Sequence, residues 1–245
     1  MSLTGRVVLV TGGSQGIGRA IILRAAAEGA SVVVNYLSNA DAAEALVSQI
    51  GRDRALAVQA DISKTAEARQ LVHTVVARFE RIDILILNAA IIPLPTLATV
   101  TEEQFDLAMA ANVKGPCFLV QEATQFLPPK SAIIFISSDV TDVSPAPPPM
   151  FLYAATKAAL NQVMRHLSQE LAGKGIRVNA ISPGAVDTEL FRSKNTAETT
   201  RVIAQASPFQ RIGMPDEIAA AVSMLWGEQS RWITGQVVRV NGGSL

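Results

Sequence analysis

A tyrosine and a lysine four residues apart are the strongest candidates for chemistry in this sequence. Tyr153 and Lys157 lie in the alanine-rich stretch Phe151–Leu160, whose composition predicts a helix. Residues four apart share one helix face, so the phenol and the ammonium would project to the same side. A neighbouring cation favours phenolate and would lower the phenol pKa from its usual value of about 10. The pair predicts a general acid and its electrostatic partner, although helices also carry such polar pairs by chance.

The composition of the chain argues against several other classes of function. The 245 residues carry 21 basic and 21 acidic side chains, interspersed along the chain, which argues against a nucleic-acid or anionic-membrane binder. No apolar run reaches the roughly 18 residues that a membrane span needs, and no secretory pattern stands at the N-terminus. The single cysteine, Cys117, excludes an internal disulfide, and two histidines cannot form a metal cluster. We therefore expect a cytoplasmic protein with no metal site and no nucleic-acid or membrane partner.

A glycine-rich loop follows the first predicted strand. The strand, Arg6–Thr11, has a β-branched run without polar alternation, as expected in a parallel sheet covered on both faces. The loop Gly12–Gly18 comes next, and Arg19–Glu28 is predicted to be helical. Glycines let the backbone approach a pyrophosphate, and the helix N-terminus offers free N–H groups. This order predicts a dinucleotide site, with an ordinary turn as the alternative.

The alternation of strand and helix continues along the chain. Further predicted strands are Ser31–Asn35, Ala55–Gln59, Ile82–Leu87, Ala132–Ser137, Ile176–Ile181 and Val237–Val240. Predicted helices are Asp41–Ile50, Lys64–Phe79, Phe151–Ala172, Pro215–Trp226 and one long helix, Glu102–Phe126, disturbed at Gly115-Pro116. We expect one α/β domain over residues 1–245, with a Rossmann-type doubly wound parallel sheet of about seven strands and helices on both faces. Two segments stand out as a stiff proline-rich loop, Asp139–Met150, and a less regular substrate lid at about 187–209.

In this order the motifs resemble those of the short-chain dehydrogenase/reductase family, in its single-domain branch. The resemblance runs from Gly5 to Gly243 and includes reductases of 3-oxoacyl thioesters and polyketide ketones. Its motifs are Thr11-Gly12-x-x-x-Gly16-x-Gly18, Asp61-Ile62, Asn88-Ala89-Ala90, Asn112, Ser138, Tyr153-x-x-x-Lys157 and Pro183-Gly184. Ligands of open α/β sheets bind at the carboxyl ends of strands, so we expect these residues to meet at one edge of the sheet.

The resemblance implies a role for each residue. Tyr153 would donate a proton to the substrate carbonyl oxygen, and Ser138 would hydrogen-bond the same oxygen. Lys157 would hold the nicotinamide ribose, and Asn112 would hold a water linking the lysine to solvent. For Asn112 the alternative is a polar residue that satisfies the backbone near Gly115-Pro116. Asp61 and Ile62 would flank the adenine of the cofactor. The implied cofactor site comprises Gly12, Ser14, Gln15, Gly16, Ile17, Gly18, Asp61, Ile62, Asn88, Ala89, Ala90, Tyr153, Lys157, Pro183, Gly184, Val186 and Thr188.

The residues after the second strand bear on the choice of cofactor. An NAD-selective dehydrogenase usually places an acid there, which accepts from the ribose 2′-hydroxyl and would repel a 2′-phosphate. This chain instead has neutral side chains at Asn35, Tyr36, Ser38 and Asn39. We therefore expect NADP(H) to be preferred over NAD(H), although no arginine or lysine clamps the phosphate and Gln15 occupies a loop position that is often basic in NADP-preferring relatives.

Departures from the family pattern concentrate around the substrate. Ala90 stands at a usual glycine site, the spacing from Ser138 to Tyr153 is slightly long, and Asp139 adds a charge beside the serine. We expect an NADPH-dependent reductase of a mostly apolar ketone, in a pocket without an obvious positive clamp, walled by Pro147–Leu152, Ile91–Leu94 and Leu190-Phe191.

Other functions stay open at this point. The alternatives are an alcohol dehydrogenase that oxidises sugars or steroid-like alcohols, and a non-catalytic NADP-binding sensor or scaffold. The presence of both Tyr153 and Lys157 disfavours the sensor. The resemblance also implies a homotetramer or homodimer, joined through the long helices and the final strand, although a strand buried within a monomer would look the same.

Overall fold

The computed structural model describes residues 2–142 and 147–244, and a parallel sheet forms the centre of this part of the chain. Its seven strands lie in the order β3-β2-β1-β4-β5-β6-β7. Their bounds are β1 Val7–Val10, β2 Ser31–Tyr36, β3 Ala55–Gln59, β4 Ile84–Leu87, β5 Ala132–Ile136, β6 Arg177–Pro183 and β7 Val237–Val240. Every neighbouring pair is parallel, so all carboxyl ends lie on one edge. The predicted doubly wound sheet is confirmed, with its switch point between β1 and β4.

Helices cover both faces of the sheet because successive strand residues point to opposite sides. Val8 and Val10 of β1 face the core that packs on the helices Gly16–Ala27 and Pro215–Leu225. Val7 and Leu9 face the core that packs on the helices Thr65–Phe79, Gly115–Ala123 and Phe151–Ala172. Helix bounds are α1 Gly16–Ala27, α2 Ala40–Ile50, α3 Thr65–Phe79, α4 Glu102–Met109, α5 Gly115–Ala123, α6 Phe151–Ala172, α7 Glu189–Lys194, α8 Ala197–Ala206 and α9 Pro215–Leu225. None of these helices is long and apolar enough to cross a membrane.

The long helix predicted over Glu102–Phe126 is wrong in detail. A π-helical turn, Ala110–Lys114, separates α4 from α5. The irregularity therefore begins before the predicted Gly115-Pro116 break. Pro116 lies in the first turn of α5, directly after the π-helical turn. Such π-turns are frequent at functional sites because they redirect side chains.

Two predicted loops contain more regular structure than expected. The lid segment forms helices α7 and α8, which are capped by the side chains of Thr188 and Thr196. Those hydroxyls satisfy first-turn N–H groups, which stabilises helices that bury little apolar surface. In the proline-rich segment, Asp139–Thr141 and Pro148–Met150 each form one turn of 3-10 helix, and the second runs directly into α6. Pro145 lies outside the described residues, and motion of the lid stays a prediction.

Candidate active site

The predicted site residues meet at one cavity of about 1430 Å³ along the carboxyl edge of the sheet. The cavity passes from the glycine loop to the start of α6. Gly18 and Asn112 are absent from its lining and lie behind it. Lining residues that the sequence predicts are Gly12, Ser14, Gln15, Gly16, Ile17, Asn35, Tyr36, Ser38, Asp61, Ile62, Asn88, Ala89, Ala90, Ser138, Tyr153, Lys157, Pro183, Gly184, Val186 and Thr188.

The end of β4 braces the glycine loop. The Asn88 amide donates to the carbonyl oxygens of Thr11 and Gly12, at 2.9 and 3.1 Å. The Thr11 hydroxyl accepts from the backbone N–H groups of Asn88 and Ala89, at 2.9 and 3.0 Å. Gly18 allows this close packing, since a Cβ there would lie 2.3 Å from the Gly12 carbonyl oxygen. The loop therefore has a defined shape before any ligand binds.

The N-terminus of α1 is suited to an anion. Gln15 at its N-cap makes no side-chain hydrogen bond to the first turn, and the first turn contains no acidic residue. The first N–H groups of a helix lack intrahelical partners, and the helix dipole favours negative charge there. Gln15, Gly16 and Ile17 line the cavity, so this helix end opens onto it. A dinucleotide pyrophosphate fits these groups in charge and in hydrogen bonding.

Asn35 differs from its predicted role as a phosphate donor. Its side chain is buried, and its amide nitrogen donates to the carbonyl oxygens of Val58 and Ala60, at 3.3 and 3.1 Å. Its oxygen accepts from the Gly12 N–H at 3.4 Å. Both amide donors are used inside the fold because β2 lies between β1 and β3, which surround its end. Tyr36 and Ser38 line the cavity nearby, and Asn39 caps α2.

Asp61 lines the part of the cavity where the sequence places the adenine. Its Oδ1 accepts from the backbone N–H and the hydroxyl of Ser63, at 3.0 and 2.7 Å. Burial disfavours the charged form, but these bonds and the charge of Lys64 outweigh it and lower the pKa of Asp61. Lys64 itself is bound to Glu67 at 2.9 Å. The adenine end is therefore bordered by an ionised, hydrogen-bonded carboxylate.

Helix α6 places Tyr153 and Lys157 on one face at the opposite end of the cavity. Both side chains are buried, and the Lys157 Nζ lies 5.7 Å from the centre of the Tyr153 ring. The ammonium donates to the Ile136 carbonyl oxygen at 2.6 Å, at the end of β5. Ser138 follows the same strand and accepts from the Val140 N–H at 3.3 Å. The strand end and the helix start thus bring the predicted catalytic side chains together.

The pKa of Tyr153 changes in the opposite direction from the one expected. Burial raises it to about 12; the Ser138 hydroxyl acts against this by hydrogen bonding, and the negative charge of Asp139 adds to it. Burial lowers the pKa of Lys157 to about 8. The expected lowering of the phenol pKa is therefore wrong, because desolvation outweighs the hydrogen bond with Ser138. At neutral pH the phenol keeps its proton.

Asn112 connects the π-turn to the loop after β4 and to α6. Its oxygen accepts from the Ile91 N–H, and its nitrogen donates to the Ile91 carbonyl oxygen, both at 2.9 Å. The nitrogen also donates to the Thr156 hydroxyl at 3.0 Å, which in turn donates to the Tyr153 carbonyl oxygen at 2.8 Å. The backbone that Asn112 satisfies is thus at Ile91 rather than near Gly115-Pro116. Its water relay stays a prediction.

The C-terminal segment contributes to the site in a way that sequence reasoning missed. Asn241, directly after β7, donates to the Asp139 Oδ2 at 3.3 Å. Arg239 donates to Asp142 at 2.9 Å, so two bonds hold the turn after Ser138. The available indication was positional, because Asn241 follows a strand, as the other site residues do.

The substrate end of the cavity is mostly apolar, as expected, but it includes cations. Arg211 is held by Glu217 at 2.6 Å, and Arg239 by Asp142. Lys194 at the end of α7 forms no ion pair within the described ranges. Leu152, which the sequence placed in the wall, is fully buried instead. Apolar lining residues are Ile91, Ile92, Leu94, Pro147, Pro149, Met150, Leu190 and Phe191.

Residues 2–142 and 147–244 contain no group of three His, Cys, Asp or Glu side chains that could bind a metal ion.

Known proteins share this fold and much of this sequence. The family model described as enoyl-(acyl carrier protein) reductase matches residues 12–244. An uncharacterized oxidoreductase from Methylorubrum extorquens is 41% identical over 98% of both chains. A short-chain dehydrogenase from Burkholderia cenocepacia, crystallised with NADP, is 34% identical with a TM-score of 0.93 over 100% of this chain and 99% of that chain. An angucycline C-6 ketoreductase with bound NADP is 37% identical with a TM-score of 0.92, over 100% and 97% of the two chains.

Proposed function

Because the chain belongs to the short-chain dehydrogenase/reductase family, we propose that it reduces the carbonyl group of a mostly apolar ketone to an alcohol with NADPH. The observation that carries this proposal is the position of Tyr153. Its phenol is buried, protonated at neutral pH, and next to Ser138 in a cavity that also contains the glycine loop. A proton donor thus lies at one end of a cavity whose other end suits a dinucleotide.

Tyr153, Ser138 and Lys157 would each have a separate role in the reaction. When bound, the nicotinamide would supply the hydride. Tyr153 would donate its proton to the carbonyl oxygen as general acid, while the Ser138 hydroxyl donates a hydrogen bond to the same oxygen. Lys157 would hold the nicotinamide ribose through its ammonium, which now donates to the Ile136 carbonyl oxygen. Its positive charge would stabilise the phenolate that forms when Tyr153 releases its proton, and so favours proton release.

The protonated state of the Tyr153 phenol suits reduction better than oxidation. A general base must lose its proton before it acts, and burial raises the pKa of Tyr153 to about 12. An acid with that pKa is protonated throughout the neutral range. Oxidation of an alcohol would need a bound cofactor to lower this value, so we place it second.

We propose a preference for NADPH over NADH. The end of β2 offers the neutral side chains of Tyr36 and Ser38 to the cavity and no carboxylate that would repel a 2′-phosphate. The NADP in the crystal structures of two similar proteins agrees with this preference. Fluorescence titration with both cofactors tests it, and tighter binding of NADH would refute it.

We also propose that the protein is a homodimer or homotetramer. Apolar side chains are exposed on α9 and in the segment before β7, at Met224, Trp232 and Ile233. Trp232 is 97% exposed and adjoins Ile233 in the chain, and exposed apolar patches mark interaction sites. Sedimentation velocity tests this, and a monomer at micromolar concentration would contradict it. The cytoplasmic location stays a prediction from composition.

The test of the reductase function is a panel of ketones with NADPH consumption as the readout. The Tyr153→Phe variant keeps the ring and removes the acidic proton. We expect it to lose about 100-fold or more in kcat, the usual contribution of general acid catalysis, while binding NADPH like the wild type. Turnover unchanged in this variant would refute the mechanism.

A further inference from the structure

A carboxyl group borders the reaction centre without a part in the proton transfer. Asp139 follows Ser138 directly and lines the same cavity. Its charge raises the pKa of the Tyr153 phenol. A ketone held between Ser138 and Tyr153 would therefore share this cavity with the carboxyl group.

The fold holds Asp139 in place without neutralising it. The neutral amide of Asn241 donates to its Oδ2 at 3.3 Å. Gly184 leaves room for this oxygen, since a Cβ there would come within 3.2 Å of it. Arg239, whose charge reaches Asp139, makes its short ion pair with Asp142 instead, at 2.9 Å. Among the residues that the structure describes, Asp139 has no ion-pair partner.

The surroundings of the Asp139 carboxyl group would favour a further hydrogen-bond donor. Burial raises the pKa of Asp139, and repulsion from Asp142 adds to this, while Asn241 and Arg239 act in the opposite direction. Leu190 and Phe191 belong to the apolar lining of the same cavity. Burial in such apolar surroundings removes water from a carboxylate, and each hydrogen bond that the carboxylate then accepts stabilises its charged form. A bound substrate would displace more water from it, and a donor on that substrate would replace the lost hydrogen bond.

We propose that Asp139 determines specificity by accepting a hydrogen bond from a hydroxyl group that the ketone substrate carries one or two carbons from its carbonyl. The proposal rests on the proposed reductase function and names its substrate class, hydroxyketones. A hydroxyl so near the carbonyl would lie in the same cavity as the carboxyl group when Ser138 and Tyr153 hold the carbonyl oxygen. Asp139 also disfavours ketones with a carboxylate at the same place, because like charges repel.

The test compares ketones that differ only in the donor. Acetophenone, α-hydroxyacetophenone and α-methoxyacetophenone form one set, and cyclohexanone with its α-hydroxy and α-methoxy derivatives forms a second. The methoxy group has a similar polarity but no proton to donate. We expect the wild-type kcat/KM for the hydroxy ketone to exceed that for the methoxy ketone at least about tenfold, the effect of one charge-assisted hydrogen bond.

Substitutions of Asp139 test whether this residue causes the preference for hydroxy over methoxy ketones. Asp139→Leu removes the acceptor, and we expect the ratio of hydroxy to methoxy kcat/KM to fall at least about tenfold. Asp139→Asn keeps the shape and the bond with Asn241, so it serves if the leucine variant does not fold; its neutral oxygen is a weaker acceptor, and the ratio should fall about fivefold. The control is Asp53→Asn, which removes an exposed carboxylate outside the cavity lining and should leave the ratio unchanged.

The outcomes separate this proposal from the function on which it rests. A wild type that reduces ketones without preferring the hydroxy compounds overturns the role of Asp139 and leaves the reductase function standing. An equal fall of the ratio in Asp139→Asn and Asp53→Asn also overturns it. A wild type that binds NADPH but reduces none of the ketones in either set overturns the reductase function and this proposal with it.

Discussion

Replacing Lys157 with methionine should make the ligand-free protein more stable while abolishing its activity. Lys157 is 2% exposed, and burial lowers the pKa of its ammonium from 10.5 to about 8. That difference corresponds to about 3 kcal/mol against the charged form. Methionine removes the charge at similar length, but it also removes the hydrogen bond to the Ile136 carbonyl oxygen, which is worth about 2 kcal/mol because its donor is charged. A net gain of about 1 kcal/mol remains, or about 2–4 °C in melting temperature for a chain of this size.

The pH dependence of this gain follows from proton linkage. The unfolded lysine binds its proton below about pH 10.5, whereas the folded one binds it only below about pH 8. Between these values the unfolded state holds more protons, so the stability of the wild type rises with pH. The advantage of Lys157→Met should therefore be full below about pH 8 and should shrink as the pH approaches 10.5.

Urea unfolding of wild type and Lys157→Met, at about pH 7 and about pH 10, measures both effects. The protein concentration must be fixed, since association of subunits would change the apparent stability. Lys174→Met removes an exposed ammonium just after α6 and serves as the control, with no expected gain. A variant no more stable than the wild type at neutral pH would refute the reasoning, as would a gap that does not narrow at high pH. Confirmation would show that the site retains a destabilising charge for its function.

Further predictions follow from other contacts at the site. Gly18→Ala would place a Cβ 2.3 Å from a backbone oxygen, and it should weaken NADPH binding at least about tenfold in a fluorescence titration; Gly173→Ala, with nothing within 4 Å, should not. Asn112→Ala leaves the backbone groups of Ile91 unpaired and should cost about 2–4 kcal/mol in urea unfolding, so an unchanged midpoint would contradict it. Because burial raises the pKa of Tyr153 from 10.0 to about 12, wild type should lose stability relative to Tyr153→Phe as pH rises through that range, and parallel curves would argue against this.

Local patterns in the sequence were sufficient for the fold and for the position of the site. Runs such as Val7–Val10 lack polar alternation, and this pattern is typical of strands covered on both faces. The order of strand, glycine loop and helix follows from neighbouring residues alone, as does the common face of Tyr153 and Lys157. These features depend on contacts between residues close in the chain, which is why the sequence predicts them.

Tertiary structure decided what the polar groups at the site do. Asn35 turns its amide to carbonyl oxygens 23 and 25 residues away, and Asp139 meets Asn241 across 102 residues. The direction of the Tyr153 pKa depends on how much water the assembled cavity wall excludes. Hydrogen-bond partners and desolvation are set by segments that folding brings together from distant parts of the chain. The periodicity of the sequence does not specify these partners or the extent of desolvation. The sequence therefore predicts which residues form the site, whereas their ionisation and their hydrogen-bond partners depend on the fold.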